Sequence, residues 1–327
     1  MGKIKRGVSL YSYQEEYFLR KMNLEDCIKA VADLGATGIE IIPEQMINEY
    51  PNLSDEFLEK WFGWMKKYNV VPTCSDGFLE ALLFKNRILS DGEQLDLMER
   101  DIRVASQLGC FVLRTLCTTP TRIIERSLPI AEKYNVKIGL EIHAPLNLET
   151  SWFDPYQALI DKHGGRWFGI IPDMGIFEKT PSRIHKERAI RDGANPKIVD
   201  FITDAYMAKV ELNKAESNVK KMGPNPADLG WFHKVYRFTL YTDPQVLKKH
   251  KDYIYHVHAK FYDMLEDNTD DSLDYENVLK VLQEIGYDGF LSSEYEGNRT
   301  IQDAFPVDSV EQVSRQHRMF KRMLGET

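Results

Sequence analysis

Short apolar runs alternate along this chain with longer segments whose apolar residues recur every three or four positions. The short runs read as buried strands and the longer segments as amphipathic helices. GVSLYSY (7–13) is the first strand. A helix follows from Asn23, a suitable N-cap, through LEDCIKAVADLG, where Gly35 can stop it. GIEIIP (38–43) is the second strand, and SDEFLEKWFGWMKKYN (54–69) a helix whose Phe57, Leu58, Trp61, Phe62 and Met65 share one face. The alternation continues with strand 70–76, helix 92–109, strand 111–117, helix 119–135, strand KIGLEIHA (137–144) and helix 154–164. FGIIPDM (168–174) is the sixth strand, YIYHVHAKF (253–261) the seventh and FLSSEYE (290–296) the eighth, with helices at 275–286 and 309–325.

Eight strand–helix units in one chain predict an α/β fold, a (β/α)₈ TIM barrel forming a single domain over residues 1–327. An open doubly wound sheet binding a dinucleotide would need a glycine-rich turn after the first strand, and VSLYSYQEEYF has none. The spacing is irregular only between strands six and seven. There a long helical insertion of roughly residues 178–250 is expected, with one helix over 198–223 and the aromatic run WFHKVYRFTLY (231–241). It leaves the end of a strand, on the face where barrels carry their active sites. A lid, a substrate wall, a docking surface and plain helical padding on the barrel flank all fit this position.

Composition removes several function classes. A net charge of −8 with scattered Lys and Arg argues against nucleic acid as the main ligand. No apolar run approaches the roughly 18–20 residues that cross a bilayer. The start, MGKIKRGVSLYSYQEE, lacks the apolar stretch of a signal peptide, and Arg6 stands where a myristoylation site needs Ser or Thr. A cytoplasmic protein with reduced thiols is expected, since Cys27, Cys74, Cys110 and Cys117 form no CxxC pair.

The chemistry gathers at strand ends. Glu141, Asp173, His258 and Glu294 close the fifth, sixth, seventh and eighth strands in turn. In one parallel barrel they converge on the same rim. Three carboxylates and one imidazole make a hard site for a divalent cation, Mn²⁺ first, with Mg²⁺ or Co²⁺ as alternatives. His143 lies two residues beyond Glu141, on the same side by strand alternation, and suits a general base. Lys260, Arg114, Glu40 and Tyr11 are expected to contact substrate, with Glu44 and Tyr13 as further candidates. His256, one layer below His258, reads as a satisfied core histidine, with a supporting place behind the metal ligand as the alternative. For each of these a plain salt bridge or core role stands beside the functional one. No GxSxG, HExxH or paired CxxC motif occurs.

This arrangement resembles the xylose-isomerase-like barrel superfamily of sugar phosphate isomerases and epimerases. Glu141, Asp173, His258 and Glu294 match its Glu-Asp-His-Glu metal set in order and strand placement, and HVHAK (256–260) is similar to the HxHxK motif of its dehydratase branch. The segments GLEIHAP, IIPDMGIF, HVHAKFYDM and SSEYEG, with the long insertion, look like the catalytic (alpha) subunit of bacterial C-glycoside deglycosidases. That resemblance implies a lyase acting on 3-oxo-glucosides of aromatic aglycones. His143 would remove the C2 proton, Glu141 or Glu294 would be the next candidates for moving protons, and the aglycone would leave by β-elimination. It also implies a small β-sandwich partner (beta) subunit in a hetero-oligomer. The chain departs from the epimerases at Met264, where they carry Arg six residues after the metal histidine, and in the length of its insertion. The alternatives are an epimerase, isomerase or dehydratase of free keto-sugars or inositols and, more distantly, a non-catalytic sugar-binding barrel.

Overall fold

The structure, a computed structural model, describes residues 3–239 and 241–326. Its centre is a ring of eight parallel strands: β1 Lys5–Ser9, β2 Gly38–Ile41, β3 Val71–Asp76, β4 Val112–Thr115, β5 Lys137–Ile142, β6 Phe168–Pro172, β7 Val257–Phe261 and β8 Phe290–Tyr295. They hydrogen-bond in the order β6-β5-β4-β3-β2-β1-β8-β7. The ring closes between β6 and β7 through the isolated parallel bridges Ile170–Ile254 and Asp173–His258. This is the expected (β/α)₈ barrel.

The helices start where local chemistry starts them. Asn23 caps Leu24–Asp33 in a reciprocal box with Asp26, each side chain accepting from the other's backbone N–H at 2.9 Å. Ser90 and Glu93 do the same for Asp91–Gln107. Asn69 and Asn135 end their helices in the left-handed conformation that Asn tolerates. The apolar helix faces pack on the outside of the ring around Val8, Ile39, Leu113, Leu140, Ile170 and Ala259.

Inside the ring two layers differ in character. The lower one is apolar, with Cys74, Val112, Ile171 and Tyr255 in contact. Gly139 belongs here because a Cβ on it would come within 2.7 Å of the Ile171 side chain. The upper layer is almost entirely ionisable and forms the site described below.

Two local readings differ from the sequence pattern. Residues Leu10–Tyr13 form a 3₁₀ turn rather than the end of β1, so strand alternation does not hold there. Tyr13 is consequently buried in the outer core instead of lining a pocket with Tyr11. The helix expected over 198–223 is two helices, Pro196–Met207 and Leu212–Lys221, broken where Lys209 turns left-handed at φ 55°. With Arg183–Arg191 and Pro226–His233 they build the insertion. It has its own small core of Ile198, Val199, Ile202, Val219, Trp231 and Val235. Ion pairs fasten it to the barrel, among them Arg191 to Asp303 (2.9 Å) and Arg183 to Asp263 (2.6 Å).

Candidate metal centre at the barrel mouth

Three of the expected ligands sit where their strands end: Glu141 is the penultimate residue of β5, Asp173 follows β6 and Glu294 is penultimate in β8, whereas His258 is the second residue of β7. All four are buried, and one donor atom from each lies within 4.8 Å of the others. His258 turns Nδ1 towards the group, 2.9 Å from Glu141 Oε1 and 3.5 Å from Glu294 Oε2. Asp173 accepts from the Gly175 N–H through Oδ1, which leaves Oδ2 facing the cluster, 2.8 Å from Lys260 Nζ.

A divalent cation fits these residues. Asp173 Oδ2 and Glu294 Oε2 are buried without a hydrogen bond among the described residues. Three carboxylates converging out of water call for a strong positive charge. Lys260 supplies part of it, contacting Asp173, Glu296 (3.4 Å) and Glu294 (3.8 Å). Burial lowers its pKa, but Asp173 and the two glutamates outweigh that and hold the ammonium well above its usual range. Burial likewise pushes Glu141 up, but the Arg114 guanidinium and His258 hold it well below the usual carboxylate range. Glu294 goes the other way: burial, with Glu141 and Asp173 beside it, raises it strongly despite His258 and Lys260.

His143 stands at the open edge, directly after β5 and half-buried. Its Nδ1 is 2.5 Å from the Ala144 carbonyl oxygen. A carbonyl can only accept, so Nδ1 carries the proton and Nε2 keeps its lone pair. That is the form a base needs. Tyr11 is partly exposed on the turn after β1, with the Arg299 guanidinium 5.7 Å from its ring centre.

Arg114 and Glu40 are held within the ring by neighbouring charged groups. Arg114 is buried, 3.3 Å from Glu141 and 3.6 Å from Asp76, with Phe78 stacked at 5.1 Å. Glu40 is fully enclosed beneath His258, with one oxygen 2.6 Å from His256 Nε2 and the other 3.2 Å from His258 Nε2. Its side-chain contacts are with the two histidines. His256 is a buried histidine whose Nε2 is satisfied by that carboxylate. Glu44 lies exposed on the short helix Pro43–Met46. Asp76 and Glu296 escaped the sequence reading. Asp76 ends β3 as Glu141 ends β5, which was a usable signal, and burial with nearby Glu40 raises it to about 7.

Comparison with known proteins agrees with this architecture. The chain is 28% identical to a C-glycoside deglycosidase alpha subunit of Arthrobacter globiformis, over 99% of this chain and 93% of that one. It is 27% identical to a 3'-dehydrocarminate deglycosidase alpha subunit of a Microbacterium species, over 98% and 95% respectively. Among solved structures, the IOLI protein with a bound zinc atom superposes with a TM-score of 0.59 at 14% identity, covering 99% of both chains. The 3-keto-D-glucoside 4-epimerase of E. coli superposes with a TM-score of 0.54 at 14% identity, covering 98% of this chain and 99% of that one. The sequence model of one family, described as xylose isomerase-like TIM barrel, matches residues 28–323. With this match and its ring of eight parallel strands, the chain belongs to that family.

Proposed function

We propose that this protein is the catalytic subunit of a divalent-metal-dependent lyase that cleaves the bond between a 3-oxo-glucose unit and an aromatic aglycone, C-linked and also O-linked. The observation that carries this reading is the meeting of three carboxylates and one imidazole at the mouth, with a second imidazole, His143, at the end of the strand that bears Glu141. The relatives named as deglycosidase alpha subunits, one of them for a 3'-dehydro substrate, support the reaction class.

Glu141, Asp173, His258 and Glu294 would hold the cation, Mn²⁺ by preference for a mostly oxygen site. When bound, it would supply Lewis acidity to the oxidised sugar, which would make the C2 proton easier to remove. His143 takes that proton on Nε2 while Nδ1–H stays bonded to the Ala144 carbonyl, which fixes the ring's direction. The C2–H electron pair becomes the C1=C2 bond. The C1–aglycone bond breaks, and its electrons leave with the aglycone, which takes up a proton. Lys260 and Tyr11 face the side from which the sugar enters, and Lys260 is placed to donate to a sugar oxygen.

The relatives' designation as alpha subunits extends the proposal to assembly with a small beta subunit, a β-sandwich on the resemblance above. The loop after β3 offers apolar surface for such a contact, with Leu82 73% and Ile88 64% exposed. Four free thiols suit a reducing cytoplasm. Among the described residues no helix is long and apolar enough to cross a membrane.

The test is metal content together with aglycone release from a 3-oxo-C-glucoside, with and without the small partner. Stoichiometric Mn²⁺ and release are expected in the parent, loss of both in Glu141→Gln, and loss of release with metal retained in His143→Ala. Bound metal with a stereoisomer as the only product would replace elimination by epimerisation, and absence of metal from the parent would remove the proposal.

A further inference from the structure

We infer that Glu40 is a positioning residue of the metal centre: it accepts the Nε2 protons of both His256 and His258 and so directs the Nδ1 lone pair of His258 at the cation. This rests on reading Glu141, Asp173, His258 and Glu294 as a metal centre.

The backbone first brings Glu40 to this place. The β2–β3 ladder slips between Ile39 and Glu40, so that Ile39 pairs with Pro72 but Glu40 with Cys74. Thr73 is the extra residue, and its hydroxyl donates to the Ile39 carbonyl at 2.9 Å. Such irregularities re-aim a side chain locally. Here the result is a carboxylate inside the ring with no exposed surface.

Its two oxygens then face two imidazoles. His256 Nε2 lies 2.6 Å from Oε2, and His258 Nε2 lies 3.2 Å from Oε1. Among the described residues neither Glu40 Oε1 nor His258 Nε2 forms a hydrogen bond, and each is the other's ion-pair contact. The ring of His258 thus presents its nitrogens in opposite directions, Nε2 to Glu40 and Nδ1 to Glu141 and Glu294. A neutral imidazole carries one N–H, and an ionised carboxylate can only accept. Both nitrogens face carboxylates, Nδ1 being hydrogen-bonded to Glu141 at 2.9 Å; a cation held by Nδ1 takes the lone pair there and leaves the proton on Nε2, towards Glu40. A carboxylate that takes the second N–H of a ligating histidine fixes both its tautomer and its orientation.

The need for a carboxylate, rather than any polar group, follows from having two histidines. An amide has one accepting oxygen and one donating nitrogen. With Gln at this position one imidazole keeps its acceptor and the other meets an N–H₂ group. If His258 is the one displaced, it accepts at Nε2, moves its proton to Nδ1 and turns a donor N–H on the cation. If His256 is displaced, a fully buried imidazole loses its partner. The rival assignment is a second ion held by Glu40, His256 and His258 themselves, which also cluster closely. It would need His258 to serve two ions from opposite ring nitrogens, in a space all three residues seal from solvent.

Titration calorimetry of Mn²⁺ into the metal-free full-length protein decides between these. One ion per chain is expected in the parent, and about 10- to 100-fold weaker binding in folded Glu40→Gln. A purely structural role would lower the melting temperature of the metal-free variant and leave the affinity of the folded protein unchanged, and that result would overturn the inference. So would two ions per chain in the parent with one lost in the variant. Should Glu40→Gln fail to fold, ¹⁵N-histidine-labelled parent protein loaded with Zn²⁺ gives the answer directly. Long-range ¹H–¹⁵N spectra should show His258 with its proton on Nε2 and zinc on Nδ1, and the reverse arrangement would refute the assignment. A parent that binds no ion in either experiment would bring down the metal-centre reading and not merely this part of it.

Discussion

Lys260 and His317 are both buried ionisable groups, and their environments push them in opposite directions. Lys260 is held charged by Asp173 at 2.8 Å and by Glu294 and Glu296. Replacing it by Met strips charge compensation from three buried carboxylates. The metal-free Lys260→Met protein should lose about 3–5 kcal/mol of stability in denaturant titration, while its Mn²⁺ affinity rises. His317 is held neutral: Nδ1 accepts from Arg6 at 2.9 Å, and Nε2–H donates to the Ser293 hydroxyl at 2.9 Å. Burial first, then Arg6 and Lys321, push its pKa down to about 3. An unfolded chain would bind this proton near pH 6.5. The native state therefore loses stability as pH falls from about 6.5 towards about 3, by up to about 1.4 kcal/mol per unit from this residue. Urea midpoints across that range should show a shallower slope in His317→Gln than in the parent.

At the scale of elements, the insertion stands on a core of its own. Trp231 is buried there, its indole N–H 3.3 Å from the Val199 carbonyl. Trp231→Ala should cost about 3–5 kcal/mol, concentrated in the insertion. Limited proteolysis is expected to cut the variant first between residues 183 and 238, with the barrel strands surviving longer. All eight strands were legible because each is an apolar run between turn signals, and Glu141, Asp173, His258 and Glu294 were legible as charges closing those runs. The break near Lys209 was not, since AKVE (208–211) contains neither glycine nor proline to mark it. The depth of Glu40 was hidden for a different reason. Which way a strand residue faces depends on its ladder, and the slip opposite Thr73 arises only when β2 and β3 pair. Likewise nothing in LYSY announces a 3₁₀ turn, so a strand read through Tyr13 overruns the observed end at Ser9 by four residues and sweeps Tyr13 into the pocket with Tyr11.

For the whole molecule, ligand binding and folding are linked. A cation that binds only the native barrel stabilises it by about 2.7 kcal/mol at a hundredfold excess over its Kd. Adding EDTA should accordingly lower the melting temperature by a few degrees, and Glu141→Gln should melt at one temperature with or without the chelator.

The closure of the barrel gives that linkage a location. Among the described residues, seven of the eight neighbouring strand pairs are joined by ladders, whereas β6 and β7 are bridged only at Ile170–Ile254 and Asp173–His258. The chain departs for the insertion at this seam and comes back to it. Two of the four candidate metal ligands, Asp173 and His258, sit on either lip. A cation held between them would be the clasp of a bracelet, drawing together the one join that the backbone leaves nearly open. Without it, the amides from Ile254 to Phe261 should exchange with solvent faster than those of any other strand, and with it the difference should close. The same ion would then prepare the substrate's proton for removal and keep the ring shut while that happens.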